Sequence, residues 1–419
     1  MVLRVLWIFV LSFVFSFGEE LIVKTKGDPP PQLTVNGDRL KLVKKLPLPN
    51  TGLYRVEGRA EVRELTLRAQ SLPNVVYAEP NYRIKPYLIP NDPLYGYQWY
   101  LPVVKLPAVW DIRTSASVIT AVLDTGIKPS QDLDGRILKG YDFVDNDQDP
   151  TDTCVDSHGT AVASIIASLT NNNWGMSGVT WSGQVLMVRV SDCNGGTLSA
   201  LIEGLIYAAQ GPYPASVINI SLGSADPGSC PQSLQEAINT VLSQPQRPVI
   251  VVAAGNESSD ASRYFPANCN GVIVVGATDT QGKKASFSNY GDKVDIYAPG
   301  SSILVNVGGD VFYKWDGTSF STPIVSGTVA LIKSQRPELE WYQVRDYLRL
   351  SASYTSDGFP FLNAYMAFLT ASSYQPSQVV AAGGGGGGCQ IGGEASGWGY
   401  ISLIVFLILR WMVRRVSVP

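Results

Sequence analysis

The stretch Gly317-Thr318-Ser319-Phe320-Ser321-Thr322-Pro323, continued by Ile324-Val325-Ser326-Gly327-Thr328-Val329-Ala330-Leu331-Ile332, decides how the chain is read. A turn of small residues runs straight into an apolar helical pattern, which places the Ser319 hydroxyl at a helix N-terminus. Free backbone N–H groups and the helix dipole favour a developing negative charge there. A serine in that position can attack an electrophile whose oxyanion is already stabilised. Taken alone, Gly-Thr-Ser is an ordinary N-cap, since Ser and Thr begin helices in any fold. Other stretches of the chain supply the partners a nucleophile needs.

Val118 to Leu123 reads as a buried strand ending on Asp124-Thr125-Gly126. Asp156-Ser157-His158-Gly159-Thr160 opens a helical pattern, and His158 is the only histidine in the 419 residues. Any chemistry that needs imidazole must therefore use it. Val251-Val252-Ala253-Ala254-Gly255-Asn256 ends a further strand on a carboxamide whose N–H₂ can donate to an oxyanion. The order is thus Asp124, His158, Asn256, Ser319, each at a strand or helix terminus. Asp, His, Ser is one of the chain orders in which the serine triad occurs.

These residues lie in a βα alternation running from about Ile89 to Ser373. Apolar runs at Val118–Leu123, Val185–Val190, Val217–Ile220, Val249–Ala253 and Val272–Val275 read as strands. Helical patterns read at Thr160–Leu169, Leu198–Ala209, Ser233–Leu242 and Phe320–Ser334. Near-continuous apolar strands between helices predict an α/β fold whose parallel sheet is covered on both faces. In such sheets the chemistry gathers at the carboxyl ends of the strands.

The flanking segments differ in kind. Residues 1–18 read as a signal peptide, with Arg4 before an apolar run and Ser16 and Gly18 at the cleavage positions. Residues 19–88 read as a small separate module, with strands at Leu21–Lys24, Leu53–Val56 and Val75–Ala78 and a helix at Ala60–Gln70. Its place between a signal and a larger domain suggests a pro-segment. Residues 374–396 form a linker built on the glycine run 383–388, and 397–419 are an apolar segment followed by arginines. That last segment is short for a spanning helix but is expected to anchor the chain or to be a sorting signal. A net charge of −3 leaves no basic footprint for nucleic acid. Five cysteines without a C-x-x-C pair argue, in an exported chain, for two disulfides and one leftover thiol rather than a zinc site.

The motifs Asp124-Thr125-Gly126, His158-Gly159-Thr160, Ser221-Leu222-Gly223, Ala254-Gly255-Asn256 and Gly317-Thr318-Ser319 with Pro323 occur in the order that the subtilisin-like serine proteases carry them. The chain resembles that family over roughly residues 20 to 370. The resemblance implies a subtilisin-like three-layer α/β fold with a mostly parallel sheet, preceded by a small α+β propeptide domain that is both chaperone and inhibitor. It implies a catalytic domain at 89–373 acting on protein or peptide substrates, with Ser319 as nucleophile, His158 as base, Asp124 as its orienting partner and Asn256 in the oxyanion hole. Ser221, Leu222 and Gly223 would line the pocket for the residue before the scissile bond. Ala161 stands where many members carry a second histidine, a position that is not the base. Cys154–Cys193 resembles a disulfide of proteinase K-like members, Cys230–Cys269 is the expected second pair, and Cys389 is left over.

Thr170 to Met176 resembles the family's strong calcium loop. The resemblance implies a structural Ca²⁺ held by Asp92, Asp132, the Asn172 side chain and the carbonyls of Thr170, Trp174 and Met176, an oxygen-rich shell that suits the ion. A second site is open at Asp142, Asp145 and Asp147, where the bland reading is a solvated loop. The whole is expected to be a secreted monomeric endopeptidase that processes itself, cutting between about Tyr82 and Asp92, and that is retained at the cell envelope by its tail. A non-catalytic binding protein on the same scaffold would need a lost catalytic residue. A transpeptidase using the same acyl-enzyme remains the other alternative.

Overall fold

The computed structural model describes residues 20–57, 62–82 and 88–373. The expected signal peptide, glycine linker, apolar C-terminal segment and Cys389 lie outside the described residues, as do residues 83–87 of the expected processing region. Among the described residues no helix is long and apolar enough to cross a membrane.

The N-terminal module is an antiparallel sheet of β1 (Glu20–Thr25), β2 (Gln32–Val35), β3 (Asp38–Lys45), β4 (Thr51–Glu57) and β5 (Val75–Pro80), with helix α1 (Val62–Gln70). Strand order is β2-β3-β4-β1-β5. Leu21 and Val23 alternate inward on β1, and Leu65 and Ala69, one helical turn apart, close the core over Leu40 and Tyr54. The two strands not anticipated, β2 and β3, form a hairpin around Asn36 and Gly37, both at positive φ.

The larger domain is built on β6 (Thr120–Asp124), β7 (Ile137–Asp142), α2 (His158–Ala167), β8 (Val185–Arg189), α3 (Leu198–Gln210), β9 (Val217–Ile220), α4 (Gln232–Leu242), β10 (Val249–Ala253), β11 (Val272–Thr278), β12 (Ile296–Pro299), β13 (Ile303–Asn306), β14 (Phe312–Trp315), α5 (Thr318–Gln335), α6 (Trp341–Leu350), β15 (Ser353–Tyr354), β16 (Pro360–Phe361) and α7 (Ala364–Ser373). Nine strands make one sheet in the order β15-β16-β12-β11-β10-β9-β6-β8-β7. All neighbours are parallel except β15 and β16, so the expected mostly parallel sheet is present.

Period-two alternation divides the core into two layers. Val217, Val249, Val251, Ile273 and Val275 face the side covered by α5. Their neighbours Ile218, Ile220, Ile250, Val252, Val272 and Val274 face α3 and α4. The chain runs from β6 through β7 and β8 on one side, then crosses β6 to build β9 to β12 on the other. The reversal lies at β6 and β9, and crevices outside the carboxyl ends of strands at such a point hold ligands.

Helix α5 is buried along nearly its whole length, which explains why it reads apolar all round. Its end is tied by Lys333, fully buried, whose ammonium donates to the carbonyls of Arg247, Pro337 and Leu339 at 3.0, 2.7 and 2.7 Å. Disulfides join Cys154 to Cys193 and Cys230 to Cys269.

Candidate active site

β6 delivers Asp124 at its carboxyl end, fully buried. Its Oδ1 accepts the Thr125 backbone N–H at 2.8 Å and lies 2.7 Å from His158 Nδ1. A carboxylate facing Nδ1 fixes the tautomer, with the proton on Nδ1 and Nε2 left as the basic nitrogen.

Two glycines let the start of α2 come this close to the strand end. Gly126 has φ +110°, and a Cβ there would sit 2.6 Å from the Pro150 carbonyl oxygen. A Cβ on Gly159 would collide with the Gly126 carbonyl. Thr125 adds a bracket between them, donating to Asp152 Oδ2 at 2.6 Å and accepting the Gly159 N–H at 2.9 Å. Asp152 is buried, and its other oxygen takes the N–H of the disulfide-bonded Cys154 at 2.8 Å. Burial of the His158 imidazole opposes its protonation. The Asp124 charge and hydrogen bond, joined by the Asp152 charge, outweigh it and hold the pKa above the ordinary histidine value.

Ser319 is the second residue of α5, so its N–H is among the first four that have no acceptor within the helix. Its hydroxyl donates to the Ser221 carbonyl at 3.0 Å. The sequence suggested that the imidazole would be its partner. Instead no hydrogen bond joins Ser319 to His158 among the described residues, because the Ser221 carbonyl past the end of β9 is the acceptor in reach of this rotamer. The imidazole packs on Phe320, with ring centroids 5.6 Å apart.

Asn256 stands three residues beyond β10. Its Oδ1 accepts both the backbone N–H and the hydroxyl of Thr318, each at 2.9 Å. An N–H can only donate, so the amide orientation is fixed and Nδ2 is left to donate elsewhere. The loop that carries it is held by buried Asn289. That side chain accepts from the N–H groups of Glu257 and Ser259 and donates to the Ala254 carbonyl. Sequence reasoning missed Asn289, Thr318 and Asp152. Asn289 lies in a Ser-Asn-Tyr-Gly stretch that reads as a plain turn, and nothing local marks it as a brace.

Ser221, Leu222 and Gly223 line a cavity of about 230 Å³ together with Gly255, Asn256, Phe265 and Ser319. Asn219 Nδ2 donates to Ser221 Oγ at 3.0 Å, and that hydroxyl donates to the Ser319 carbonyl at 2.9 Å. The expected pocket residues, nucleophile and carboxamide are therefore brought to one place.

The residues named for calcium are only partly assembled. Asp92 accepts the N–H groups of Asn171 and Asn172 and the Ser177 hydroxyl. Asp132 Oδ2 accepts the Met176 N–H at 3.0 Å, while its Oδ1 is buried without a hydrogen-bond partner. Burial, with Asp92 and Asp310 nearby, pushes the Asp132 carboxyl up to about 7. A buried carboxylate oxygen in that state is stabilised by a cation or a proton, so Asp92 and Asp132 fit an oxygen-seeking ion. Asn172 Oδ1 instead accepts its own loop's Trp174 N–H at 2.9 Å. The second acidic stretch is different again. Asp142 and Asp145 both pair with the buried guanidinium of Arg189, which supplies the positive charge expected there from an ion.

Residues 115–382 match the model of the Subtilase family. A thermophilic serine proteinase of Bacillus sp. strain AK1 is 40% identical over 308 residues, covering 72% of this chain and 72% of that one. An extracellular protease of Xanthomonas campestris is 35% identical over 328 residues, covering 68% of this chain but 56% of that protein, so the chain spans little more than half of that relative. A solved structure of a protease from Pseudoalteromonas arctica has a TM-score of 0.63 at 34% identity, over 68% of this chain and 99% of that one. Fold and relatives together define a serine endopeptidase of the subtilisin type. The chain belongs to the Subtilase family.

Proposed function

We propose that the chain is an exported precursor that cuts off its own 19–88 segment and then hydrolyses proteins through Ser319, His158, Asp124 and Asn256. The observation that carries this reading is the 2.7 Å contact between His158 Nδ1 and Asp124, beside a serine and a fixed carboxamide. Ser319 Oγ turns from the Ser221 carbonyl and gives its proton to His158 Nε2 as it attacks the peptide carbonyl. The oxyanion is held by Asn256 Nδ2–H and the Ser319 N–H. His158 then protonates the leaving amine, and water repeats the sequence on the acyl-enzyme. Asp124 keeps the imidazole oriented and offsets its positive charge.

The disulfides suit an oxidising compartment, and the Xanthomonas relative is named an extracellular protease, which supports secretion. The α+β module supports a propeptide that inhibits the enzyme until it is removed. The tail beyond residue 373 would retain the chain at the envelope. Asp92 and Asp132 would hold a structural Ca²⁺ that ties the 170–177 loop to the domain, and Asn172 would join them only by releasing the Trp174 N–H.

The test is intact mass of the purified full chain, wild type against Ser319→Ala, with casein hydrolysis alongside. Loss of the 19–88 segment and casein cleavage in the wild type alone support the reading. A Ser319→Ala protein that still shortens itself would remove self-processing from it.

A further inference from the structure

β9 carries one polar side chain in an otherwise apolar run, Asn219. It is fully buried, and its neighbours in register are Val122 on β6 and Val251 on β10. An amide placed there costs free energy unless its hydrogen bonds are made. Two hydroxyls make them. The Ser326 hydroxyl, on α5 and also fully buried, donates to Asn219 Oδ1 at 2.8 Å. Asn219 Nδ2 donates to Ser221 Oγ at 3.0 Å, and Ser221 Oγ donates to the Ser319 carbonyl at 2.9 Å. A chain of three hydrogen bonds thus runs from the middle of α5 to the sheet and back to the nucleophile at the helix start.

The direction of this chain follows from Pro323. In an α-helix the carbonyl of Ser319 would take the N–H of the residue four positions on, and proline has none. The Ser319 carbonyl therefore depends on the Ser221 hydroxyl, which has one hydrogen to give. With that hydrogen committed, Ser221 Oγ can only accept from Asn219. The carboxamide must then turn Nδ2 to Ser221 and Oδ1 to Ser326. A reversed amide would draw the Ser221 hydrogen to Oδ1 and leave the Ser319 carbonyl without a donor. Ser221 also offers its own carbonyl to the Ser319 hydroxyl at 3.0 Å, so one residue holds the nucleophile at two points.

We propose that Asn219 is a positioning residue for the nucleophile. Its Nδ2–H sets which way the Ser221 hydrogen points. Through that hydrogen it holds the Ser319 carbonyl in the first turn of α5, where helix hydrogen bonds are missing. The Ser319 Cα lies between this carbonyl and the N–H assigned to the oxyanion hole. Fastening the carbonyl therefore holds both the N–H and the direction in which Cβ presents Oγ to His158. Asn219 itself touches neither substrate nor reacting atoms. A carboxamide that only tied α5 to the sheet could turn either end to Ser326, whereas this role needs the N–H₂ end on Ser221. The inference rests on the roles proposed for Ser319 and His158.

The test is a mutant cycle between Asn219 and Pro323 on the full chain, purified in active form. The acylation rate on a nitrophenyl ester, per titrated active serine, is read together with KM and melting temperature. Asn219→Asp replaces the donor by an acceptor that competes for the Ser221 hydrogen. It should slow acylation about tenfold or more, with KM within about twofold. Pro323→Ala restores a helical N–H to the Ser319 carbonyl, so in that background Asn219→Asp should cost much less. Asn219→Leu, of similar volume and without the competing acceptor, should cost less than Asn219→Asp and couple to Pro323→Ala in the same sense. It carries the cycle alone if the buried carboxylate prevents folding. Independent sites give losses that multiply within about twofold. Losses that multiply in this way in the folded variants, or melting that falls while acylation is unchanged, overturn the positioning role. Ester hydrolysis that survives Ser319→Ala would instead overturn the catalytic roles.

Discussion

Ser221 and Ser319 exchange hydrogen bonds, each hydroxyl donating to the other's carbonyl, at 2.9 and 3.0 Å. Pro323 explains the first of them. It lies four residues along α5 and has no N–H with which to satisfy the Ser319 carbonyl, so the Ser221 hydroxyl takes that place. The strand end that lines the pocket is thus fastened to the peptide unit of Ser319 itself. Ser221→Ala should leave that buried carbonyl without a donor and cost about 1–3 kcal/mol of stability. Adding Pro323→Ala supplies a helical N–H and should recover part of the loss. Urea unfolding of the four proteins checks the cycle. Additive losses would mean that the two residues do not share the carbonyl.

The acid limb of kcat/KM should report His158. Its pKa is raised, so the neutral base is lost as pH falls through a value above the usual 6.5, and activity falls with it. Asp152→Asn removes a charge that favours the imidazolium, and should move the limb to lower pH by up to about one unit. For stability the sign is opposite. The protonated pair contributes below the unfolded pKa, and that contribution fades as pH rises through the folded one. A pH–rate profile of wild type and Asp152→Asn decides the first point, since a purely structural Asp152 would lower activity without moving the limb.

Asn256 should behave as a donor rather than as a prop. Asn256→Asp keeps the oxygen that Thr318 binds but offers no N–H to an oxyanion, and should lower kcat by about 10²–10³ with a small change in KM. Asn256→Ala removes both functions and should add a loss of thermal stability. Steady-state kinetics and melting of the two variants separate the roles.

The parallel sheet and the four catalytic candidates were legible because Asp124 and Asn256 follow the end of an apolar strand run, and His158 and Ser319 stand where an apolar helical run begins. β9 and β10 were read to the residue for that reason. β7 was missed because Ile137-Leu138-Lys139-Gly140-Tyr141-Asp142 mixes charge and glycine into a strand near the sheet edge. β3 carries Arg39, Lys41, Lys44 and Lys45 among its apolar residues, and β2 is only four residues long, although the Asn36-Gly37 turn between them was a usable hairpin signal. The braces of the site, Asp152 and Asn289, act across 27 and 35 residues of sequence, on Thr125 and Ala254. No local pattern encodes such a contact. The Ser319 rotamer was equally out of reach, since it depends on a carbonyl 98 residues away.

Calcium removal tests the Asp92 and Asp132 assignment. Chelation should lower the melting temperature of the wild type, by an amount set by the free ion concentration relative to its affinity. Asp132→Ala should melt low at the outset and respond little to chelator or added Ca²⁺. Thermal scans with and without chelator check this. A full chelator effect in Asp132→Ala would place the ion elsewhere.

Gly159 should tolerate no side chain. A Cβ would meet the Gly126 carbonyl and come within 3.1 Å of the Asp124 Cβ, both parts of the segment that His158 must approach. Gly159→Ala should cost about 1–3 kcal/mol by overpacking and should also displace the imidazole from Asp124. Melting and kcat/KM should therefore fall together, whereas alanine at Gly282, a half-buried glycine with no atom near its Cβ position, should lower melting only, through strain at its φ of +73°, and leave kcat/KM unchanged.

Lys333 offers a test of stability far from the chemistry. Three backbone carbonyls at the end of α5 depend on one buried ammonium. Lys333→Met keeps the apolar stem and removes the donors, so it should cost about 3 kcal/mol or more. Burial lowers the Lys333 pKa to about 8, well below the unfolded value. Between these values the unfolded chain binds more protons, so this group favours folding increasingly as pH rises from about 8 toward 10.4. The stability gap between wild type and Lys333→Met should widen over that range in urea titrations. A constant gap would mean that the ammonium form persists in the fold, with the three carbonyl bonds outweighing the burial of its charge.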